Sequence, residues 1–265
     1  MSVLITSTQN ARIKEAVRLR ERRDRKKSDL FLIEGYRELK RAVEAERALT
    51  TLFYCPEFFL GSNEGDLLHN SGAELCQCTP EVFAKISYRD RPDGLLAVAL
   101  QKHCSLSSLV LSKNPFLLIA ERIEKPGNLG SILRSCDAAG VDAILVCDPV
   151  TDIHNPNVVR SSIGTLFTQP VLEVGSQEAF TYLQQNSIQI VSATPHADLE
   201  YTQVDFTGPF AIAVGAEQIG LSDEWMERAD LKVRIPMMGD ADSLNVAAAT
   251  TLLLYEVLRQ RSLRR

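Results

Sequence analysis

The sequence predicts an α/β protein made of two successive strand–helix alternations. Three observations carry this expectation. Short apolar runs recur along the chain with helix-compatible amphipathic segments between them. Several of these runs, among them Phe116–Ala120, Ile144–Val146 and Ala211–Val214, have no polar interruption, as strands of a parallel sheet covered on both faces do not. A polar stretch with a weak apolar centre, QKHCSLSSLVLSKN at Gln101–Asn114, parts the alternation in two and reads as a linker.

The first alternation opens with a helix expected from Asn10 to Lys27, with Ile13 and Val17 on one side. A strand at Asp29–Ile33, a helix at Tyr36–Glu46 and a strand at Thr51–Tyr54 follow. Beyond a glycine-bearing loop around Gly61–Gly65 come a strand near Ala73–Cys76, a helix opened by Thr79-Pro80-Glu81, and a strand at Leu95–Leu100. These describe a small α/β domain of about a hundred residues. In the second alternation, strands are expected at Phe116–Ala120, Ala143–Cys147, Ile188–Ala193, Phe210–Val214 and Leu231–Ile235. Helices are expected near Leu129–Ala139, Asn157–Ile163, Gln177–Gln185, Ser222–Glu227 and Val246–Arg261.

Composition bounds the function. A chain of 265 residues with 45% apolar and 24% charged content can bury real cores in two modest domains. No apolar run approaches the roughly 18 residues of a membrane span. The opening MSVLITSTQNARIKEA has neither a signal-type apolar core nor an acid-poor transit pattern, so a cytoplasmic location is the expectation. The six cysteines form no C-x-x-C pair and have no histidine at a zinc spacing; with four scattered histidines, no metal site is expected.

The net charge of −5 hides an asymmetry: residues 1–110 carry 17 basic and 15 acidic side chains, residues 111–265 only 12 and 19. The sharpest cluster is Arg18-Leu-Arg-Glu-Arg-Arg-Asp-Arg-Lys-Lys27. Such a run is either a solvated helix face or a phosphate-contacting arm that releases condensed counterions from nucleic acid.

Three later stretches could carry chemistry. In EKPGNLGSILRSCDAAGVDAILV, Glu124 to Val146, a Pro-Gly turn leads from a buried strand to Asn128, a natural helix cap. Gly130, Arg134 and Asp137 then share one helix face, opposite the apolar stripe of Ile132, Cys136 and Ala139. The layout suits an anionic or nucleotide-like ligand. In FAIAVGAEQIGLSDEW, Gly215 and Glu217 follow a buried strand directly, and Gly220-Leu221-Ser222 opens a helix. A carboxylate there sits where open α/β sheets bind ligands. In VRIPMMGDADSLNVAAATTLLLYEVLRQR, Ile235-Pro236-Met237 ends a strand and Ser243-Leu244-Asn245 opens a helix whose small first-turn residues admit a close neighbour. Each stretch alone has a bland reading as an ordinary turn, cap or packed helix.

Taken together, the three resemble the SpoU branch of the SPOUT superfamily, the RNA ribose 2′-O-methyltransferases. The family's N-x-G-x-x-x-R is matched by Asn128, Gly130 and Arg134, and its G-x-E-x-x-G-L by Gly215, Glu217, Gly220 and Leu221. Its I-P-M … S-L-N-V-A is matched by Ile235-Pro236-Met237 and Ser243–Ala247. Phe31–Gly35 and Asp93–Val98 resemble, more loosely, the family's accessory domain, related in fold to ribosomal protein L30e. Ser135, where relatives commonly have Thr, and Ala216-Glu217-Gln218, where Ser-Glu-Gly is frequent, depart from the pattern.

The resemblance implies an L30e-like RNA substrate-binding domain at 1–105, a linker at 106–114, and a parallel-sheet methyltransferase domain with a deep trefoil knot at 115–265. It implies S-adenosylmethionine as cofactor, bound around Ala193, Thr194, Gly215, Glu217, Ile235, Met237, Ser243, Leu244 and Ala248. Arg134 would act on the reacting ribose, with Asn128, Glu217, Ser243 and Asn245 positioning it, the ribose and the cofactor. Arg18, Arg20, Arg22, Arg23, Arg25, Lys26 and Lys27 would contact RNA. The implied partners are RNA, with 23S-type ribosomal RNA favoured, and a second copy of the chain; neither membrane nor metal is expected. A homodimer would face one subunit's Asn/Arg motif towards the other's cofactor pocket.

A transfer-RNA methyltransferase and a non-catalytic RNA-binding or ribosome-assembly protein are the alternatives. A nicotinamide or flavin enzyme is disfavoured by the missing G-x-G-x-x-G.

Overall fold

The computed structural model describes residues 3–263, whose strands form two sheets. Met1, Ser2, Arg264 and Arg265, at the outer ends of the two expected domains, lie outside the described residues. The chain divides into two units: Met1–Lys102 with Asp152–Thr168, and His103–Thr151 with Gln169–Arg265. The stretch Asp152–Thr168, read from the sequence as part of the second alternation, therefore belongs to the first unit.

In the first unit the sheet order is β1 (Val3–Ile5), β4 (Glu74–Cys78), β3 (Leu49–Tyr54), β5 (Leu95–Leu100), β2 (Leu30–Glu34). β1, β4 and β3 run parallel, while β5 is antiparallel to both β3 and β2. One core gathers Ile13, Leu32, Phe53, Phe83 and Leu96. Helices α3 (Tyr36–Glu44), α4 (Glu64–Asn70) and α5 (Pro80–Ile86) belong to this unit, and so does α7 (Pro156–Ser161), which packs on β2.

The single helix expected from Asn10 to Lys27 is two: α1 (Ala11–Arg18), capped by the Asn10 side chain, and α2 (Arg22–Ser28). Arg25 explains the break. Its Nη1 donates to the carbonyls of Leu19 at 2.9 Å and Arg20 at 2.7 Å, which a continuous helix would have used internally. Its Nε and Nη2 grip the Asp152 carboxylate at 3.2 and 2.6 Å, and the side chain is only 2% exposed. Arg20 is engaged as well, its Nη2 donating to the carbonyls of Lys85, Ile86 and Ser87 at the end of α5. Both arginines therefore leave the expected RNA-contacting set, while Arg18, Arg22, Arg23, Lys26 and Lys27 remain exposed.

The second unit holds a seven-stranded sheet in the order β10 (Leu199–Glu200), β12 (Leu231–Arg234), β9 (Gln189–Ala193), β11 (Phe210–Val214), β6 (Phe116–Glu121), β7 (Ala143–Cys147), β8 (Val171–Val174). Every pairing is parallel. The uninterrupted apolar strands β6, β7 and β11 are buried along their whole length, as their sequences require. On one face Leu117, Ile119 and Leu145 pack with Phe180 of α8 (Ser176–Gln185) and Trp225 of α9 (Asp223–Glu227). α6 (Pro126–Ala139) and α10 (Val246–Ser262) pack on each other, with a 2.7 Å bond between the Ser135 and Thr251 hydroxyls. Cys136 and Cys147 are buried free thiols, as read from the sequence, and burial pushes both well up.

Arg261, near the end of α10, closes one end of this sheet. It donates to the carbonyls of Asn114, Phe206 and Gly208 at 3.0, 3.2 and 2.9 Å and lies over the rings of Phe116 and Phe210. The carboxyl ends of β9, β11 and β12 stay open. Among the described residues no helix is long and apolar enough to cross a membrane.

Truncating Arg25 to Ala would strand a partly buried Asp152 and uncap two carbonyls. An expected loss of about 3 kcal/mol follows from breaking such a pair on one side. Lys26→Ala, one residue on and exposed, is expected within about 0.5 kcal/mol of the parent. Urea unfolding midpoints of the two variants check the contrast.

Candidate active site

Helix α6 starts three residues earlier than a cap at Asn128 marks, because Pro126 supplies the first-turn φ at no hydrogen-bonding cost. Asn128 is thus not the cap read from the sequence; it sits inside the first turn with its amide turned sideways. Its Nδ2 donates to Glu217 Oε1 at 2.6 Å, and its Oδ1 accepts from Asn245 Nδ2 at 3.1 Å. Asn245 in turn is the N-cap of α10, its Oδ1 accepting the Ala247 N–H at 3.0 Å. One residue from each of the three stretches is thereby locked to the next.

Glu217 is the hub. Besides Asn128 it accepts the backbone N–H of Glu124 at 2.9 Å and of Lys125 at 3.1 Å, so its negative charge lies at the entrance to α6, where the helix field favours it. Burial works to raise its carboxyl, but the Glu124 N–H and the Asn128 amide, with further backbone N–H groups, outweigh that and hold it below the ordinary 4.5.

The loop carrying Glu217 is tight. A Cβ on Gly215 would lie 2.2 Å from the Gly220 carbonyl carbon and the Leu221 nitrogen, both backbone, so no other residue fits. Gly220 closes the loop at φ 72°, and its N–H donates to the Ala216 carbonyl at 2.9 Å. From the other side Glu121, the last residue of β6 and 2% exposed, accepts the Ser222 N–H at 2.8 Å. Sequence reasoning passed over Glu121, although a carboxylate ending the otherwise apolar run FLLIAE was a visible signal.

These elements surround a cavity of about 630 Å³ at the carboxyl ends of β9, β11 and β12. Of the residues expected around a cofactor, Ala193, Thr194, Gly215, Glu217, Ile235, Met237, Ser243 and Leu244 line it. Ala248 does not: it is exposed, and Ala249, one position on, faces the cavity instead. The helical phase of α10, fixed by its cap at Asn245, decides between the two. Lys125 and His196 also line the cavity and were not foreseen; each directly adjoins a proline where the backbone leaves regular structure.

Arg134 lies elsewhere. It is exposed on α6, outside the cavity lining, with no hydrogen bond or ion pair among the described residues. Gly130, expected beside it on an open face, is buried with Leu129 and Leu133; of that trio only Arg134 and Asp137 reach solvent.

The family is shown by comparison. Residues 115–255 match the SpoU rRNA Methylase family and residues 10–97 the MRM3-like substrate binding domain. A curated relative, the 23S rRNA (uridine(2479)-2′-O)-methyltransferase of Streptomyces viridochromogenes, is 32% identical over 96% of this chain and 92% of its own. A solved RNA 2′-O ribose methyltransferase is 42% identical, with a TM-score of 0.87 over 98% of this chain and all 100% of that one. The SpoU methyltransferase AviRb of Streptomyces viridochromogenes, solved in complex with the cofactor AdoMet, gives a TM-score of 0.89 at 32% identity, over 96% of this chain and 99% of its own. The chain belongs to the SpoU rRNA methylase family.

Because folding depresses the Glu217 carboxyl, the stability it contributes is complete above the ordinary value of 4.5 and is lost as pH falls through the lower folded value. Glu217→Gln is expected to cost about 1–3 kcal/mol at neutral pH, since its amide nitrogen must face a donor, either the Glu124 N–H or those of Lys125 and Asn128. It should also flatten the fall in stability below pH 4.5. Urea midpoints followed from neutral to acid pH for parent and variant test both.

Proposed function

We propose that the protein transfers a methyl group from S-adenosylmethionine to a ribose 2′-hydroxyl of ribosomal RNA, of the 23S type. The supporting observation is the Asn128–Glu217–Asn245 chain, which fastens three stretches far apart in sequence around one cavity. A pure RNA-binding protein has no need for that construction.

The lining suits the cofactor. Ile235, Leu244, Val246 and Ala249 offer apolar faces for a flat adenine, and Gly215 lets the Gly220–Leu221 backbone close in to form the wall beside them. When bound, the cofactor supplies an electrophilic methyl carried by a sulfonium. The chain's own residues do the rest. Glu217, fixed by its donors, holds the loop 215–221 in shape, and Asn245 and Asn128 hold the start of α10 against the start of α6. Arg134 meets the RNA. A guanidinium keeps its charge, so its work is to orient the ribose and its neighbouring phosphate and to stabilise the developing alkoxide.

Arg134 points away from its own chain's cavity lining, which supports the arrangement implied by the resemblance: a homodimer whose Arg134 serves the partner's pocket. The apolar stripe Leu252, Tyr255 and Leu258, each more than a third exposed, gives α10 a face for that second copy. The deep trefoil knot and a cytoplasmic location belong to the same reading, and the domains implied at 1–105 and 115–265, joined by 106–114, divide RNA binding from chemistry. The still-exposed Arg18, Arg22, Arg23, Lys26 and Lys27 supply phosphate contacts from the first unit.

Methyl-labelled cofactor and separate under-modified ribosomal and transfer RNA pools test the reaction. Alkali-resistant labelled dinucleotides are expected from ribosomal RNA, with at least about a hundredfold less label for Arg134→Ala. Labelled mononucleotides would mean base methylation and end the ribose assignment. Mixing Arg134→Ala with Asn245→Ala subunits is expected to restore activity, since one composite site stays intact; no restoration would place Arg134 in its own subunit's site.

A further inference from the structure

The cavity at the carboxyl ends of β9, β11 and β12 carries a lysine that the chemistry above leaves unused. Lys125 lines this cavity, is exposed, and forms no ion pair among the described residues. Its backbone is pinned on both sides. The N–H donates to Glu217 Oε1 at 3.1 Å, and the carbonyl accepts the Asn128 and Leu129 N–H groups at 3.0 and 3.1 Å. Pro126 follows directly and holds Lys125 extended, at φ −90° and ψ 119°. The root of the side chain is therefore fixed at the cavity wall, and only its flexible stem moves the ammonium.

The fold gives this lysine no structural work. It stands at the N-cap of α6, and its side chain makes no capping bond. A cation at a helix start opposes the helix field, which favours carboxylates there. The cofactor supplies a reason. S-adenosylmethionine carries two positive groups, a sulfonium and an ammonium, and one negative group, the carboxylate of its methionine part. A lysine ammonium on the wall of its site repels the first two, so it favours binding only where it meets the carboxylate. The other polar groups of the lining suit that anion less. Both oxygens of Glu217 accept donors, and its charge repels a carboxylate. The Asn245 amide is engaged with Asn128 and Ala247. Thr194, Gln218 and Ser243 are neutral. His196, the other basic side chain, stands in a turn closed by two bonds of 3.4 Å, from its own N–H to the Thr194 hydroxyl and from the Ala197 N–H to the Thr194 carbonyl. Its root is held less firmly than that of Lys125.

We propose that Lys125 is a cofactor-binding residue whose ammonium holds the methionine carboxylate of S-adenosylmethionine in this cavity. The inference rests on the function proposed above and names the one group of the cofactor that a lysine there favours.

Calorimetry on the full chain with S-adenosylmethionine and with decarboxylated S-adenosylmethionine, which lacks only the carboxylate, is the test. The parent is expected to bind the intact cofactor at least about tenfold tighter, as a hydrogen bond between charged groups allows. Lys125→Ala should lose that preference, with weaker binding of the intact cofactor and unchanged or tighter binding of the decarboxylated one. Lys125→Arg should keep it, and so should His196→Ala. The ligand-free urea midpoint of Lys125→Ala should not fall below that of the parent; a fall gives the side chain a structural role and overturns the proposal. A preference that survives in Lys125→Ala, or that disappears in His196→Ala instead, overturns it too. So does a Lys125→Ala variant with weakened RNA binding and unaltered cofactor binding, which assigns the ammonium to an RNA phosphate. Methyl transfer measured on the same preparations separates the two readings. Cofactor binding and transfer without a role for Lys125 sink only this inference. A carboxylate preference that depends on Lys125, without transfer to any RNA, sinks only the earlier one. Failure to bind either form of the cofactor overturns both.

Discussion

The Glu217 carboxylate is the constraint on which the second unit's site depends. Two backbone N–H groups at the entrance to α6 and the Asn128 amide converge on it, and Asn128 passes the connection to Asn245 at the head of α10. A carboxylate with three donors is held more firmly than any single loop could be, and the helix field at α6 adds to the hold. The loop geometry follows from it. Gly215 and Gly220 let the backbone fold back on itself, and Glu121 ties the far end at Ser222. What this order buys is a cavity whose walls are set before any ligand arrives.

Charged residues play two different parts in this molecule, and burial sorts them. Arg20, Arg25 and Arg261 spend their donors on carbonyls at helix ends and strand ends, finishing backbone accounts that secondary structure leaves open. Arg134 and the exposed Arg18, Arg23, Lys26 and Lys27 of the 18–27 run lie open to a polyanion. Arg89 does both within the first unit: it donates to the Glu34 carbonyl and pairs with the carboxylates of Glu38 and Asp93. Residue type alone does not separate these roles, because one guanidinium serves a carbonyl or a phosphate equally well.

The apolar strands were the most legible part of the chain. Phe210–Val214, Ala143–Cys147 and Leu95–Leu100 fall where their unbroken or β-rich runs placed them. The short strands Val3–Ile5, Val171–Val174 and Leu199–Glu200 went unread, since so few residues carry no period of their own and pair only because a neighbouring strand offers an edge. The break between α1 and α2 was equally invisible, because its cause, Asp152, lies far along the chain.

By itself, then, the sequence determined the two alternations, the parallel character of the larger sheet and the three stretches that carry the family resemblance. These depend on local periodicity, on glycines where backbone closes on backbone, and on residue order. Only the tertiary structure decided how the stretches are used. It moved Asn128 from a cap to a bridge, put Ala249 rather than Ala248 on the cavity, buried Arg25, and left Arg134 on the outside of its own chain. Each depends on helix phase or on a partner far away in sequence, and a hydrogen bond between residues a hundred positions apart leaves no local signature.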